Sequence, residues 1–315
     1  VNFRSDWGFS NMAINYRPQL SGDERRELLW TGLKNYGLYG QGASEAEAAA
    51  FADSNIDSFA AKPANGWTDW KDELFKTGGH QNYQVSVSGG GQNTQFYSSL
   101  SYTKQDGIIQ NQGLERFTGN ANLTHTFKRL TVQVTSQFSK MIQKKTNEGT
   151  SYDGAVANYA FFQSPSSTPY NEDGSLNNGC GMFGVNPLYE FQHSSDRATI
   201  IKAFNTVKAT YNIWDNLNLS EKISYDYMTN TNDVLWDRYS NNGGPGGVMQ
   251  RIISKNEQLN TQTQLTYNKA FGEHNIDALL GFETEDNKYA YNYLSGQDYP
   301  DDLYELSVAG STSAE

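Results

Sequence analysis

The sequence predicts an all-β fold, namely a segment of an antiparallel transmembrane β-barrel. Three observations lead to this class: apolar and polar residues alternate over many short segments, short and long connections alternate between them, and aromatic residues gather near segment ends. A barrel strand needs only about 9–11 residues and is apolar at every second position. Such a fold leaves no apolar run of about 18 residues, and the chain contains none.

Alternation of apolar and polar residues predicts eight strands. In one of them, Leu217 and Ile223 share a face, whereas Asn218 and Ser224 share the opposite face. The eight segments are 82–88, 95–103, 117–127, 130–139, 206–213, 217–227, 258–267 and 275–283. A ninth strand is expected at 3–9, and a tenth around Tyr289, Tyr291 and Tyr293.

The lengths of the connections favour a barrel over a sandwich. Short links are expected at 89–94, 128–129, 214–216 and 270–274. Long loops are expected at 104–116, 140–200 and 230–257. Short turns on one rim and long loops on the other are typical of outer-membrane barrels, in which the turns are periplasmic and the loops extracellular. A soluble sandwich would scatter its loop lengths over both ends.

The apolar face is predicted to meet lipid, and the polar face to line a wet or plugged lumen. Aromatic residues near the strand ends would then lie at the two membrane interfaces. These are Phe127, Trp214, Tyr225, Tyr227, Tyr267 and Phe271. A secreted β-sandwich or lectin stays open as an alternative, because alternation suits both folds and Tyr and Phe favour strands anyway.

Glu221 does not fit the apolar face on which the alternation places it, between Leu219 and Ile223. A carboxylate there is unfavourable in lipid. Protonation, a covering protein surface or a local bulge that turns the side chain inward would each resolve the conflict.

Composition excludes some partners and chemistries. The chain has 315 residues with a formal net charge of -11, and it lacks a basic stripe, so no nucleic-acid partner is expected. Cys180 is the only cysteine, so no internal disulfide is possible.

Helices are expected only before the first hairpin. Ser21 with Glu24, and Ser44 with Glu47, each match the capping-box pattern that begins a helix. These helices predict a loop subdomain at residues 10–80, on the long-loop side, within a barrel portion that spans residues 1–315.

No catalytic, cofactor-binding or metal site is predicted, and the chain is not expected to be an enzyme. Residues 88–91 read SGGG, but a strand follows instead of a phosphate-binding helix, which favours a hairpin turn. Residues 67–73 combine aromatics and carboxylates without evidence of glycosidase geometry. The four histidines lack metal-ligand spacing, and Asp298, Asp301 and Asp302 lack the EF-hand pattern.

The longest distinctive stretch carries a family resemblance. Residues 67–107 read WTDWKDELFKTGGHQNYQVSVSGGGQNTQFYSSLSYTKQDG. This stretch resembles the SusC/RagA-type TonB-linked outer-membrane proteins, which carry Trp, an acidic residue, Phe and Thr-Gly before Asn-Tyr and Ser-Val-Ser-Gly-Gly. Further family-like stretches lie at 116–123, 186–189, 217–227 and 271–281.

The resemblance implies a barrel of 22 strands with an N-terminal plug, energised through the TonB complex. It also implies a SusD-like surface lipoprotein that helps to capture glycans or peptides. This chain shows no plug, no TonB-contacting segment and no C-terminal barrel strand, so TonB contact is expected through an N-terminal region that the chain lacks. Glu221 also departs from the family, which more often has a small or polar residue there.

The predicted function is therefore uptake of oligosaccharide or peptide across the outer membrane, with lipid around the barrel and no cofactor. Loop aromatics are the candidate contacts for substrate or partner, because such rings stack on sugars and peptides. They are Tyr152, Tyr159, Phe161, Phe162 and Trp236. The alternative function is that of a soluble or surface carbohydrate-binding or adhesive β-protein.

Overall fold

Ten strands form one antiparallel sheet in which every strand pairs with its neighbours in sequence. A computed structural model describes residues 1–13, 19–146, 160–180 and 184–314. Within these ranges β1 does not pair with β10, so the sheet is open. The strands are β1 (Asn2–Ser10), β2 (Gly78–Gly90), β3 (Thr94–Asp106), β4 (Gly113–Phe127), β5 (Leu130–Lys145), β6 (Ser194–Trp214), β7 (Leu217–Trp236), β8 (Val248–Phe271), β9 (His274–Gln297) and β10 (Ser311–Ala314).

The short helices lie in the long connections. They are α1 (Gly22–Asn35), a π-helical turn (Tyr36–Gly40), α2 (Glu45–Ala60), α3 (Trp70–Leu74), α4 (Pro187–His193) and a 3-10 turn (Leu306–Val308). Both predicted capping boxes are confirmed, because Ser21 and Glu24 bond reciprocally at the start of α1, and Ser44 and Glu47 do so at α2. The prediction that helices occur only before the first hairpin is wrong, since α4 lies between β5 and β6. Its signal was Asn186-Pro187, a preferred N-cap followed by proline at the first helical position. Among the described residues, no helix combines the length and the apolar character needed to cross a membrane.

The predicted division into an apolar and a polar face is confirmed by the strand register. Leu219 on β7 lies opposite Leu265 on β8, which lies opposite Leu280 on β9. Ser220 lies opposite Gln264 on the other face. Because the side-chain period is two, one consistent register carries the alternation across the whole sheet.

The apolar face is the exposed one. Leu100 and Leu280 are 69% and 72% exposed, whereas Ser99 and Ser224 on the polar face are 4% and 8% exposed. Crowding of polar side chains is expected on the concave face of a curved sheet. A sandwich would need a second sheet over the apolar face, and the part of the chain that the structure describes forms only one sheet.

All four predicted short turns are present, at 91–93, 128–129, 215–216 and 272–273. The predicted loops are too long, because the strands continue beyond the apolar segments. The connections observed between the paired strands are 107–112, 146–193 and 237–247 instead of 104–116, 140–200 and 230–257. Cross-strand ion pairs stabilise these polar extensions: Arg251 of β8 binds Asp233 of β7.

The prediction of a separate tenth strand around Tyr289 is wrong. Tyr289, Tyr291 and Tyr293 belong to β9, which pairs with β8 in unbroken register along its whole length. They share a face with Asn275, not with Leu280, so the apolar pattern changes face within one strand. The tenth strand is the short β10, whose four residues are polar or small and therefore show no apolar alternation.

Glu221 lies on the apolar face as predicted, but no bulge turns it inward. The pairing of β7 with β6 shifts only between Asn212 and Trp214, and its pairing with β8 is regular. Thr263 of β8, directly opposite, donates its hydroxyl hydrogen bond to the Glu221 carboxylate. The carboxylate is therefore satisfied locally by one neighbour on the same face.

Candidate functional site

The three candidate loop aromatics that the structure describes do not form one cluster. Tyr152 and Tyr159 lie outside the described residues. Phe161 and Phe162 follow each other in the connection between β5 and β6, whereas Trp236 ends β7. Phe162 lines one cleft and Trp236 lines another, so the structure assigns them to different surroundings.

Phe161 packs at the margin of an apolar core formed by the connections. The core residues are Trp70, Leu74, Ala160, Cys180, Val185 and Leu188. The Phe161 ring lies 6.5 Å from the ring of Phe75 and has the Lys71 ammonium 5.9 Å from its centre. Phe161 therefore serves mainly to pack against the core, which favours a structural role over contact with cargo.

The stretch 67–77, which carries the family resemblance, docks on this core. Asp69 caps α3 by accepting hydrogen bonds from the backbone amides of Lys71 and Asp72. The helix thereby inserts Trp70 and Leu74, both almost fully buried, and the Trp70 indole donates to the Ser164 carbonyl at 3.1 Å. The acidic residue of this motif is a helix cap, so its chemistry is structural.

Cys180 also belongs to this core. Its side chain is buried, and burial raises the pKa of the thiol from 9.0 to about 11. A thiol in apolar surroundings is protonated and unreactive at neutral pH.

Phe162 lines a cleft of about 720 Å³ between the start of α1 and the stretch 67–71. Its ring is 45% exposed. Polar groups at the cleft include the side chains of Glu24, Arg25 and Gln163. An exposed ring beside hydrogen-bonding groups is a suitable surface for a sugar or a peptide.

Trp236 lines a smaller cleft of about 330 Å³ where β6 begins and β7 ends. Lys145 and Asp196 line the same cleft and form an ion pair of 3.2 Å. Both charges and the Trp236 ring alternate onto the polar face of the sheet. The cleft can thus offer one flat ring and two opposite charges to a solute beside that face.

The residues that hold this cleft together were not predicted from the sequence. Glu190 of α4 is buried and accepts hydrogen bonds from the Ser240 hydroxyl at 2.7 Å and from the Asn241 backbone amide at 2.9 Å. His193 bonds to Asp237 at 2.8 Å. These contacts fasten α4 to the connection 237–247. Their partners are about 50 residues apart, and no local pattern reveals such a pairing.

Asn186 is the third support. It is completely buried, caps α4 through the Leu188 amide, and donates to the carbonyls of Pro169 and Asn177 at 2.8 and 2.9 Å. The segment 186–189, noted for its family-like sequence, therefore joins three parts of one long connection.

No metal or catalytic arrangement emerges in the parts that the structure describes. Within those ranges, no three His, Cys, Asp or Glu side chains lie close enough together to hold a metal ion. His125, one of the four histidines, contacts the Thr94 hydroxyl at 2.8 Å. Gly90 ends β2 and the turn 91–93 follows, which confirms the hairpin reading of the glycine run.

A single antiparallel sheet with an exposed apolar face, short turns on one rim and long connections on the other defines a transmembrane β-barrel type of wall. No family model matches the chain. TonB-dependent receptor P3 of Formosa agariphila is 30% identical to it over 244 residues, which cover 75% of this chain and 24% of that receptor. TonB-dependent receptor SusC of Bacteroides thetaiotaomicron is 24% identical over 244 residues, which cover 69% of this chain and 24% of SusC.

Solved structures agree in fold. The structure of the RagAB peptide transporter matches with a TM-score of 0.76 at 18% identity, over 99% of this chain and 38% of that chain. The RagAB peptide importer in the 'open-open' state matches with a TM-score of 0.74 at 17% identity, with the same coverage.

The resemblance seen in the sequence is thus confirmed: the chain is of the SusC/RagA type of TonB-dependent receptor. It spans about a quarter of the length of the curated relatives that it matches. These relatives are named as receptors, and the solved structures as transporters or importers, not as enzymes.

Proposed function

We propose that this chain forms part of the wall of an outer-membrane importer that takes up glycans or peptides. The observation that carries the proposal is the exposed apolar face of a single sheet, because water would penalise such a face whereas lipid would not. The likeness to TonB-dependent receptors supports the same location.

The height of the apolar face suits a membrane. On β7 the apolar face runs from Leu217 to Tyr227, about 33 Å along a strand at about 3.3 Å per residue. A strand tilt of about 40° reduces this to about 25 Å along the membrane normal, the height of the apolar band in outer-membrane barrels. Beyond Tyr227 the same face of β7 continues with the polar residues Thr229, Thr231 and Asp233. Lys255 and Glu257 of β8 form an ion pair of 3.0 Å at the end of the apolar face.

In this location, each rim of the sheet lies on a definite side of the membrane. Short turns belong in the periplasm and long connections outside the cell. Residues 10–80, which include α1 and α2, would form a loop subdomain on the outer rim. The polar face would line the lumen of a complete barrel, for which the family resemblance implies 22 strands around a plug, with energy supplied through TonB by a region outside this chain.

Cargo and partner follow from the relatives by analogy only. One structural match is titled a peptide transporter and one relative is SusC, so we propose an oligosaccharide or a peptide as cargo and a SusD-like lipoprotein as partner. Phe162 and Trp236 are the described aromatics best placed to touch cargo. Phe161 is a weaker candidate because it packs on the loop core, and Tyr152 and Tyr159 remain proposals from sequence.

Uptake is tested by deleting the parent gene and growing the strain on single glycans or single peptides as sole nutrient source. We expect growth on at least one class to be lost and to return when the intact gene is restored. Growth that depends on the gene for no glycan and no peptide would contradict import. Fractionation of the same strain should place the receptor in the outer membrane, and recovery in the soluble fraction would contradict the location.

A further inference from the structure

Cationic side chains gather on the outward face just above the apolar band. Lys144 of β5 lies opposite Arg197 of β6, Arg197 lies opposite Asp233 of β7, and Asp233 lies opposite Arg251 of β8. We call Lys144, Arg197 and Arg251 the basic row. The row belongs to the same face as the exposed apolar residues, because strand positions two apart share a face.

Within the described ranges, Arg251 is the one member of the basic row that forms an ion pair. Asp233 is bound by Arg251. Among the described residues, no carboxylate forms an ion pair with Lys144 or Arg197. Like charges directly opposite each other on neighbouring strands destabilise a sheet. An external anion bound beside Lys144 and Arg197 would therefore relieve their repulsion.

The opposite face at the same level shows the contrast. Lys145 and Asp196, the adjacent pair in the same register, have opposite charges and form an ion pair of 3.2 Å. The next pair in this register, Lys144 with Arg197, lies on the outward face. On these two strands, opposite charges therefore face each other on the polar face, whereas like charges face each other on the outward face.

The basic row lies at the height of lipid headgroups. Lys140 is opposite Ile201, the last apolar residue of β6 on this face. Arg197 lies four positions beyond Ile201, about 13 Å along the strand and about 10 Å along the normal at a tilt of about 40°. The headgroup layer is about 5–7 Å thick, and long Lys and Arg side chains bend toward it.

The surrounding surface has the same sign. On β3 to β9, the outward positions at and beyond the upper end of the apolar band carry seven cationic and five acidic side chains, an excess of two positive charges on a chain of net charge -11. The cationic residues are Lys104, Lys140, Lys144, Arg197, Arg251, Lys255 and Lys288, and the acidic residues are Asp106, Glu115, Asp233, Glu257 and Asp286. A protein that is acidic overall is therefore basic at this one level.

We propose that Lys144 and Arg197, with Lys140 below them, bind the phosphate groups of an anionic lipid in the leaflet next to the long connections. The inference rests on the proposed location in the outer membrane. Phosphate supplies the missing negative charge, and basic clusters at a membrane surface each gain about 1 kcal/mol per Lys or Arg from anionic lipid. Arg197 also presents a fork of donors that suits phosphate oxygens.

The test uses the whole receptor that contains this chain, purified in detergent and titrated with phosphatidylglycerol or phosphatidylcholine. Bound lipids are counted by native mass spectrometry. We expect a preference for phosphatidylglycerol that falls about thirtyfold in the K144Q/R197Q variant, the loss expected for two charges. The K208Q/K222Q variant is the matched control, because Lys208 and Lys222 are also directly opposite each other but lie on the polar face. It should keep the preference.

Equal binding of both lipids by the unmodified receptor would overturn the inference, as would an unchanged preference in K144Q/R197Q. Displacement of phosphatidylglycerol by inorganic phosphate alone would assign the row to free phosphate and also overturn it. Circular dichroism checks that each variant is folded. If the receptor fractionates with the outer membrane but shows no lipid preference, the inference fails and the proposed function stands. If the receptor is absent from the outer membrane, the proposed function itself is contradicted.

Discussion

The indole of Trp67 lies against Gly22, the first residue of α1, so closely that a Cβ atom on residue 22 would be 2.0 Å from the ring. The indole nitrogen donates to the Asp23 carboxylate at 2.9 Å, and the Lys62 ammonium lies 5.6 Å from a Trp67 ring centre. Trp67 therefore anchors the start of α1 to the stretch that precedes α3.

Replacing Gly22 with alanine is expected to dislodge Trp67. The added methyl group has no room, and overpacking of this kind costs about 1–3 kcal/mol. Amide hydrogen exchange over α1 in the whole receptor measures the local opening free energy. Gly32→Ala is the matched control, because a Cβ there meets nothing within 4 Å and alanine in a helix is about 0.5–1 kcal/mol better than glycine. Equal protection in both variants would show that Trp67 is not an anchor.

Glu190→Ala is expected to release the connection 237–247 from α4. The carboxylate accepts hydrogen bonds from Ser240 and Asn241, and a bond to a charged group contributes about 1.5–3 kcal/mol. The measurement is exchange of the Asn241 backbone amide, which donates directly to Glu190. Glu172→Ala, at an exposed position of the preceding connection, should leave that amide protected. Unchanged protection of Asn241 in the Glu190 variant would argue against the contact.

Cys180 is expected to resist alkylation. Burial raises the pKa of its thiol from 9.0 to about 11, and the thiolate is the nucleophile. At pH 8 its thiolate population is therefore roughly a hundredfold below that of an unshifted cysteine, since each pKa unit is a factor of about ten. The alkylation rate should rise as the pH approaches 11. Iodoacetamide labelling followed by mass spectrometry measures the rate.

The control for Cys180 is Asn178→Cys in a Cys180→Ala background, because residue 178 is exposed two positions away. It should react at the ordinary rate. Similar rates at both positions at pH 8 would show that the thiol is not buried in the apolar core.

Glu221→Leu is expected to favour the folded barrel in lipid. Among the described residues, the outward carboxylate has the Thr263 hydroxyl as its one hydrogen-bond partner. Removing an acidic side chain from the lipid face should gain about 1–2 kcal/mol, less than for a basic residue. Urea-dependent folding of the whole receptor into phosphatidylcholine vesicles measures the difference. Lys222→Leu, the next residue on the polar face, should bring no such gain. A loss of stability in the Glu221 variant would instead indicate a functional or interface role for the carboxylate.

Local patterns were sufficient to locate β1 to β9, the turns and the first two helices. Alternation over 217–227 defines a strand face without knowledge of its neighbours, and the capping boxes at Ser21 and Ser44 satisfy helix ends within four residues. The extents of β6 to β9 were not predictable in this way. Their outer halves do not continue the apolar alternation of the outward face, and they are strands because each pairs with a neighbour, as Asp233 does with Arg251.

The candidate site was predicted only in part. The aromatic composition of the connection between β5 and β6 pointed to Phe161 and Phe162. Both line the same cleft, and that Phe161 also packs on the loop core depends on Trp70, which lies far away in sequence. The supports of the second cleft, Glu190 and Asn186, belong to ordinary loop residue types, and only their buried partners reveal their role.

The sequence by itself determined which side of each strand is apolar, where the chain turns, and which family the chain resembles, because these properties depend on residues within a few positions of one another. The tertiary structure alone decided which strand ends are paired, which loop residues are buried, and that Lys144 faces Arg197 while Lys145 faces Asp196. These outcomes depend on register between segments about 50 residues apart, and register is a property of the assembled sheet.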